Sequence, residues 1–336
     1  MDPDSVREVG RVAHGGSDDP DLLDFSANTN PRTPPGTREV YADALDASLS
    51  YPDDDYPEFR AAAAEFADCD PEAVVPTPGG LAALRLVFAA SVAPGDSVLV
   101  PSPSFGEYAR EIRLQGGEPE FVAHDQLLDA DPRDHAAVVV CNPNNPTGDA
   151  YEPDALRNFA TRCREADALL VADEAFLGFT DRESLAGTEG VIVGRSLTKL
   201  FGMPGLRAGF AVATGTFLER LQQARRPWNV GAVALRVGTY SMGKAGFIDE
   251  TRDRVQRERE RMVDALEDQY EVTPSDAPFI LLEVTDEPVD DVVDRCEQRG
   301  LTIRDARTFP TLDSHVRVAV RRAAENRRLE EALLDV

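Results

Sequence analysis

From about residue 56 to about residue 213, short runs of consecutive apolar residues alternate with longer stretches of helical periodicity. The runs SVLV (97–100), AVVV (137–140), LLVA (169–172), VIVG (191–194) and GFAVA (209–213) are apolar at successive positions, so each predicted strand is buried on both faces. Between and before them, 58–67, 81–91, 106–115 and 153–166 carry the apolar spacing of helices. Strands of this kind alternating with helices predict an α/β fold with a mainly parallel sheet covered on both sides. Beyond about residue 246 the pattern changes. A charged helix around 250–266 leads to strand FILLEV (279–284), helix 289–299, strand LTIR (301–304), strand VRVAV (316–320) and a final helix ending near Leu334. That order predicts a smaller α+β unit. The first 35 residues are rich in Gly, Pro, Asp and Asn and read as an extended arm. The expected organisation is an arm (1–35), a large domain (36–245) and a small C-terminal domain (246–336), without internal repeats.

Charge narrows the function classes. The 336 residues carry 61 acidic and 35 basic side chains, a formal net charge of −26. A polyanion would be repelled, which argues against nucleic acid or an anionic membrane as partner. No run approaches the roughly 18 apolar residues of a membrane span. No export signal opens the chain, so a cytoplasmic location is expected. The basic residues are 33 Arg and two Lys, Lys199 and Lys244. With the acidity, this points to the cytosol of a salt-accumulating archaeon; high-GC codon usage with an acidic surface is the simpler alternative. Lys244, in MGKAG, is expected in an exposed loop. Cys69, Cys141, Cys163 and Cys296 are scattered, without a CxxC pair, and read as reduced core residues with no metal site.

Candidate chemistry gathers where ligands bind in open α/β sheets, beyond the carboxyl ends of the strands. CNPNNPTG, with Asn145, follows AVVV. Asp173-Glu174-Ala175-Phe176 follows LLVA. Arg195-Ser196-Leu197-Thr198-Lys199 and then GMPGLR, ending at Arg207, follow VIVG. An amide cluster, a carboxylate and a lysine with Ser and Arg converge on one rim.

NNPTG, DEAF, and SLTK followed eight residues later by Arg resemble the fold-type I pyridoxal-phosphate enzymes of the class I/II aminotransferase group, in that family's order and over essentially the whole chain. The resemblance implies pyridoxal 5'-phosphate as cofactor and a large domain built on a seven-stranded-type, mainly parallel sheet. It gives Lys199 the imine to the cofactor aldehyde, Asp173 the pyridine nitrogen and Asn145 the phenolic oxygen. Ser196, Arg207 and the backbone at Gly79-Gly80-Leu81 would hold the phosphate, and Phe105 would stack on the ring. The simpler alternative is that the two glycines are only a helix-entry turn. Tyr51 or Tyr56, in SYPDDDYPEF, stands where the family lends a tyrosine to the neighbouring subunit, with Tyr51 preferred; this implies a homodimer with shared active sites. Two departures from the family pattern stand out: Phe176 where Tyr is common, and Leu81 where Ser or Thr is common.

The cofactor alone does not name the reaction. Arg317, in HVRVAVR, matches the family's grip on the substrate α-carboxylate, and Arg321 follows it. Two branches of the group act on phosphorylated substrates, the threonine-phosphate decarboxylases of cobalamin biosynthesis and the histidinol-phosphate aminotransferases. His14-Gly15-Gly16, DFSANTNP (24–31), RSLTK, PGLR, DEAF and RVAVR…AAEN resemble the first more closely. The expected function is decarboxylation of L-threonine O-3-phosphate to (R)-1-aminopropan-2-yl phosphate; the alternative is an aminotransferase acting on histidinol phosphate or a similar amine. His14, Gly15 and Gly16, Asn30 and Arg321 are the expected contributors to a substrate-phosphate site, with Arg32 as a further candidate. A non-catalytic sensor role is disfavoured because no DNA-binding module is evident in a chain of net charge −26.

Overall fold

The computed structural model describes residues 1–17 and 19–335. The strands are β1 (Leu23–Asp24), β2 (Val74–Thr77), β3 (Ser97–Ser102), β4 (Glu118–Ala123), β5 (Ala137–Cys141), β6 (Leu169–Asp173), β7 (Val191–Ser196), β8 (Gly209–Val212), β9 (Glu271–Val272), β10 (Phe279–Glu283), β11 (Leu301–Thr302), β12 (Arg304–Asp305) and β13 (His315–Ala319). The helices of the N-terminal part and large domain are α1 (Ser5–Glu8), α2 (Thr37–Ala47), α3 (Pro57–Ala67), α4 (Gly80–Ser91), α5 (Glu107–Leu114), α6 (Pro153–Glu165), α7 (Leu197–Leu200), α8 (Gly215–Ala224) and α9 (Ala232–Met242). Helices α10 (Ala245–Leu266), α11 (Val289–Gln298) and α12 (Ala323–Leu333) complete the chain.

The large sheet has seven strands in the order β2-β8-β7-β6-β5-β3-β4. β8 alone runs against the others, because it is antiparallel to both its neighbours while β4, β3, β5, β6 and β7 pair in parallel. The central strands β5 and β6 are buried at every position, as their uninterrupted apolar runs require. Alternate side chains feed two cores. Val138, Val140 and Leu170 face one side with Phe59 and Phe159, whereas Val139, Val171 and Ile192 face the other with Leu84, Phe88 and Ile112. The fold is thus the expected α/β architecture with a smaller C-terminal domain, whose sheet is β12-β13-β10-β9.

Several elements depart from the sequence pattern. β4 is an edge strand, paired only with β3 and largely exposed, so it shows no apolar run. β2 contains Pro76, tolerable at a sheet edge. α10 starts at Ala245, earlier than expected, behind the half-buried Lys244, which is not in an open loop: its Nζ lies 3.9 Å from the centroid of the Tyr240 ring. The single strand expected over LTIR is two. Leu301–Thr302 pairs in parallel with Leu23–Asp24, and Arg304–Asp305 pairs antiparallel with β13. The N-terminal arm is therefore stitched to the C-terminal domain, also through Ala319 N–H donating to the Phe25 carbonyl at 2.8 Å. Phe25 is fully buried there. Among the described residues, no helix is long and apolar enough to cross a membrane, and no three His, Cys, Asp or Glu side chains form a metal-binding group.

Candidate active site

The carboxyl ends of β5, β6 and β7 open into a cavity of about 330 Å3, roofed by the N-terminal arm and flanked by β12 and β13. Asp173, the last residue of β6, and Ser196, the last of β7, line it, each closing a strand that opens with a buried apolar run. Lys199 sits three residues further, in the single turn α7, whose first turn the Ser196 side chain caps by accepting from Thr198 N–H. Burial, and after it the charges of Arg317 and Arg207, pull the Lys199 amine down to about pKa 8. Asp173 moves the other way: burial pushes its carboxyl up, against the hydrogen bond from Tyr108. Tyr108 Oη donates to Asp173 Oδ2 at 2.6 Å, and Ala175 N–H donates to Oδ1 at 3.0 Å.

The antiparallel return of β8 builds an anion cradle. Ser196 and Gly209 are register partners, and Arg207 lies just before Gly209, in the left-handed region at φ +54°. Gly79 has φ +101°, and a Cβ on it would stand 2.7 Å from Arg207 Nη2. A Cβ on Gly80 would stand 3.0 Å from Ser196 Cβ, and one on Gly209 would lie 2.7 Å from the Gly79 carbonyl carbon. Three backbones and two side chains meet where only glycines fit. The cradle opens at the start of the twelve-residue helix α4, whose first N–H groups are unpaired in the helix.

The opposite wall carries charge that no carboxylate touches among the described residues. Arg317 is almost completely buried; its Nη1 donates to Asn145 Oδ1 and its Nη2 to the Ser26 carbonyl at 2.8 Å. Its Nε is buried without a partner, and among the described residues it forms no ion pair. Burial, and after it the charge of Arg304, disfavour its charged form. Arg304 is its register partner on the neighbouring strand and also lines the cavity. Arg304 Nη2 donates to the Ala13 carbonyl and to Thr308 Oγ1, at 2.8 and 2.7 Å. Two adjacent buried guanidiniums without a carboxylate are costly unless an anion joins them.

The structure brings together Lys199, Asp173, Gly80, Leu81, Phe105, Asn145, Ser196, Arg207, His14, Gly15 and Arg317, with Gly79 directly behind the cradle. Phe105 meets the His14 ring at 5.8 Å, and His14 Nε2 lies 2.9 Å from Glu107 Oε1. Four residues expected at the substrate phosphate lie outside the cavity. Asn30 is not in the cavity; it is buried beneath the lysine turn, donating to the Leu200 carbonyl and accepting from Arg254. Arg321 is not in it either: β13 ends at Ala319, and the Arg321 guanidinium is held by Glu325 and the Asp24 carbonyl over the Phe25 ring. Neither Gly16 nor the exposed Arg32 lines the cavity. Tyr51 is 79% exposed, its ring tilted against that of Trp228 at 4.6 Å and outside the cavity, while Tyr56 is buried and donates to Asn229. Phe176 lines the cavity against Phe279. Sequence reasoning missed Asn28, Tyr108 and Arg304. Asn28 lines the cavity with a buried Oδ1 that has no partner.

A reactive amine, a buried carboxylate, an anion cradle and a further cationic wall define a cofactor-dependent site for anionic amino compounds. The chain belongs to the class I and II aminotransferase family, whose profile matches residues 20–333. It is an enzyme of that pyridoxal-phosphate-dependent family, and the donor set of the cavity fits the cofactor. Among curated relatives, the threonine-phosphate decarboxylase of Salmonella typhimurium is 31% identical, with 99% of this chain and 95% of the relative covered. Histidinol-phosphate aminotransferase 2 of Archaeoglobus fulgidus is 29% identical, covering 95% and 94%. The crystal structure of the L-threonine-O-3-phosphate decarboxylase from Porphyromonas gingivalis superposes with a TM-score of 0.85 at 27% identity, covering 94% of this chain and 99% of that one.

Proposed function

We propose that the protein decarboxylates L-threonine O-3-phosphate to (R)-1-aminopropan-2-yl phosphate, the reaction of the cobalamin-pathway branch of its family. The observation that carries this reading is the Arg304–Arg317 pair, side by side on β12 and β13, lining one cavity without a carboxylate partner among the described residues. A substrate bearing both a carboxylate and a phosphate supplies an anion to each.

Bound pyridoxal phosphate supplies the electron sink that lets a bond at the substrate Cα break with its electrons left behind. The phosphate end of the cofactor belongs in the cradle of Gly79, Gly80, Leu81, Ser196 and Arg207, with Asp173 at the ring nitrogen, Asn145 at the phenolic oxygen and Phe105 on the ring face. Lys199 is the nucleophile: with its amine pulled down to about pKa 8, a useful fraction is neutral near neutral pH. Arg317 grips the α-carboxylate and fixes which Cα bond is aligned to break. The Cα–carboxylate bond breaks, CO2 leaves, and a proton returns to Cα from the Lys199 ammonium or a water. Arg304, His14, the Gly15 backbone and Asn28 surround the side-chain phosphate.

The exposed Tyr51 and Trp228, whose rings lie against each other, suit a homodimer in which Tyr51 reaches the partner's cofactor phosphate; sedimentation in molar KCl should give two subunits, and a monomer would refute it. The four cysteines are free thiols, three of them buried, which suits a reducing cytoplasm.

The second reading, an aminotransferase on histidinol phosphate or a similar amine, uses the same cofactor contacts and is favoured by the Archaeoglobus relative. Incubation with threonine phosphate separates the two. CO2 and an amine phosphate without a keto acceptor support decarboxylation; product only with 2-oxoglutarate present, and without CO2, supports the aminotransferase.

A further inference from the structure

Phe105 and Tyr108 stand three residues apart where α5 begins, their rings edge to face at 5.6 Å. Tyr108 is completely buried, yet it is a phenol where a phenylalanine would pack as well. Its hydroxyl is spent on Asp173, at 2.6 Å. We propose that Tyr108 is a positioning residue that keeps Asp173 ionised and aimed at the ring nitrogen of the cofactor. This role rests on the family's cofactor and not on the substrate proposed above.

A carboxylate shut away from water reverts to its neutral form unless donors or positive charge hold it. Around Asp173, the Tyr108 hydroxyl from α5 is the largest influence opposing burial, followed by the Ala175 N–H and the charge of Lys199 from α7. Glu174, the residue after β6 ends, works against them. Cys141, facing from the end of β5, has its thiol pushed up by burial and stays neutral. The phenol is itself held well above its usual range, first by burial and then by Asp173, so it remains a donor throughout the working pH range. The two donors engage different oxygens, Oδ2 and Oδ1. They fix the carboxylate plane and leave lone pairs free for a third donor. Because Phe105 is tied to the same turn of α5, the ring-facing aromatic and the ring-nitrogen partner share one rigid support.

Tyr108→Phe tests this, with Asp173→Asn as reference. In the apoprotein, the infrared carboxyl band that Asp173→Asn removes should titrate with a midpoint about one pH unit higher in Tyr108→Phe, a tenfold change in ionisation. In the cofactor-loaded protein, the pH titration of the visible band should move, and the cofactor should dissociate about tenfold more readily. A lowered melting temperature with both titrations unchanged would mean that Tyr108 is only packing, and would overturn the proposal. The converse experiment leaves Tyr108 in place. With ring-labelled tyrosine, Asp173→Asn must shift the Cζ resonance of the buried phenol, and an unchanged resonance overturns the proposal as well. None of these readouts uses a substrate, so they stand or fall apart from the decarboxylase reading.

Discussion

Gly79→Ala is a small change with two separable consequences. Gly79 precedes α4 at φ 101° and ψ 164°, a region open in practice only to glycine. Placing any side chain there costs about 1–3 kcal/mol of backbone strain. The new Cβ would lie 2.7 Å from Arg207 Nη2 and 3.2 Å from its Cζ. The guanidinium is the far end of a flexible side chain, so it is the part that yields. Moving it would remove the charge-assisted hydrogen bond proposed between Arg207 and the cofactor phosphate, worth roughly 1.5–3 kcal/mol. That loss corresponds to about a tenfold to hundredfold rise in the cofactor dissociation constant. Urea denaturation of the apoprotein reads the strain. Titration with pyridoxal phosphate, followed by visible absorbance, reads the affinity. Arg207→Gln should lower affinity without the strain, and the double variant should lose little further affinity, because both changes remove one contact. Unchanged apoprotein stability, or affinity losses that add in full, would refute this account of the cradle.

Other consequences are as specific. Burial lowers Lys199 from its ordinary 10.5 to about 8; the folded state therefore carries a penalty for the buried ammonium that is complete below about pH 8, shrinks as the pH rises and is gone above 10.5. Lys199→Met should therefore stabilise the apoprotein at pH 7 by about 3 kcal/mol, with the gap closing towards pH 10.5; a gap that does not change with pH would contradict the burial argument. In the core, Arg195 Nη1 meets Glu174 Oε2 at 2.8 Å, both side chains buried, with the guanidinium over the Phe66 ring. Arg195→Met should destabilise the fold by about 3–5 kcal/mol in urea titrations near neutral pH, because Glu174 is left as an uncompensated buried charge; a loss under about 1 kcal/mol would show that Ser184 and Leu185 N–H suffice to hold it.

What was legible in the sequence follows from physical range. β5, β6 and β7 announce themselves because strands buried on both faces are apolar at consecutive positions, and the residues ending them, Asp173 and Ser196, inherit their place from that. Lys199 is legible for a second reason: in a chain with two lysines, it stands where an arginine could not form an imine. Edge strand β4 and the proline-bearing β2 lack such runs. The substrate wall was less legible because it depends on pairings between distant segments. Arg321 shares the strand parity of Arg317, but β13 stops first; the neighbour of Arg317 is instead Arg304, brought across by strand register. Asn30 and Asn28 are alike in sequence, and only the docking of the arm onto the Lys199 turn sends Asn30 beneath it and leaves Asn28 in the cavity. Tyr108 looks like an ordinary apolar-face residue of α5 until Asp173 is placed against it.

The most direct test of the central claim is phosphorus NMR of the cofactor-loaded protein with L-threonine O-3-phosphate in molar KCl, with evolved CO2 measured alongside. The account predicts conversion of the substrate resonance into one new phosphate-monoester resonance, with one CO2 per product, no need for a keto acid, and loss of turnover in Lys199→Ala. An unchanged substrate resonance, or conversion that requires 2-oxoglutarate and releases no CO2, would contradict it.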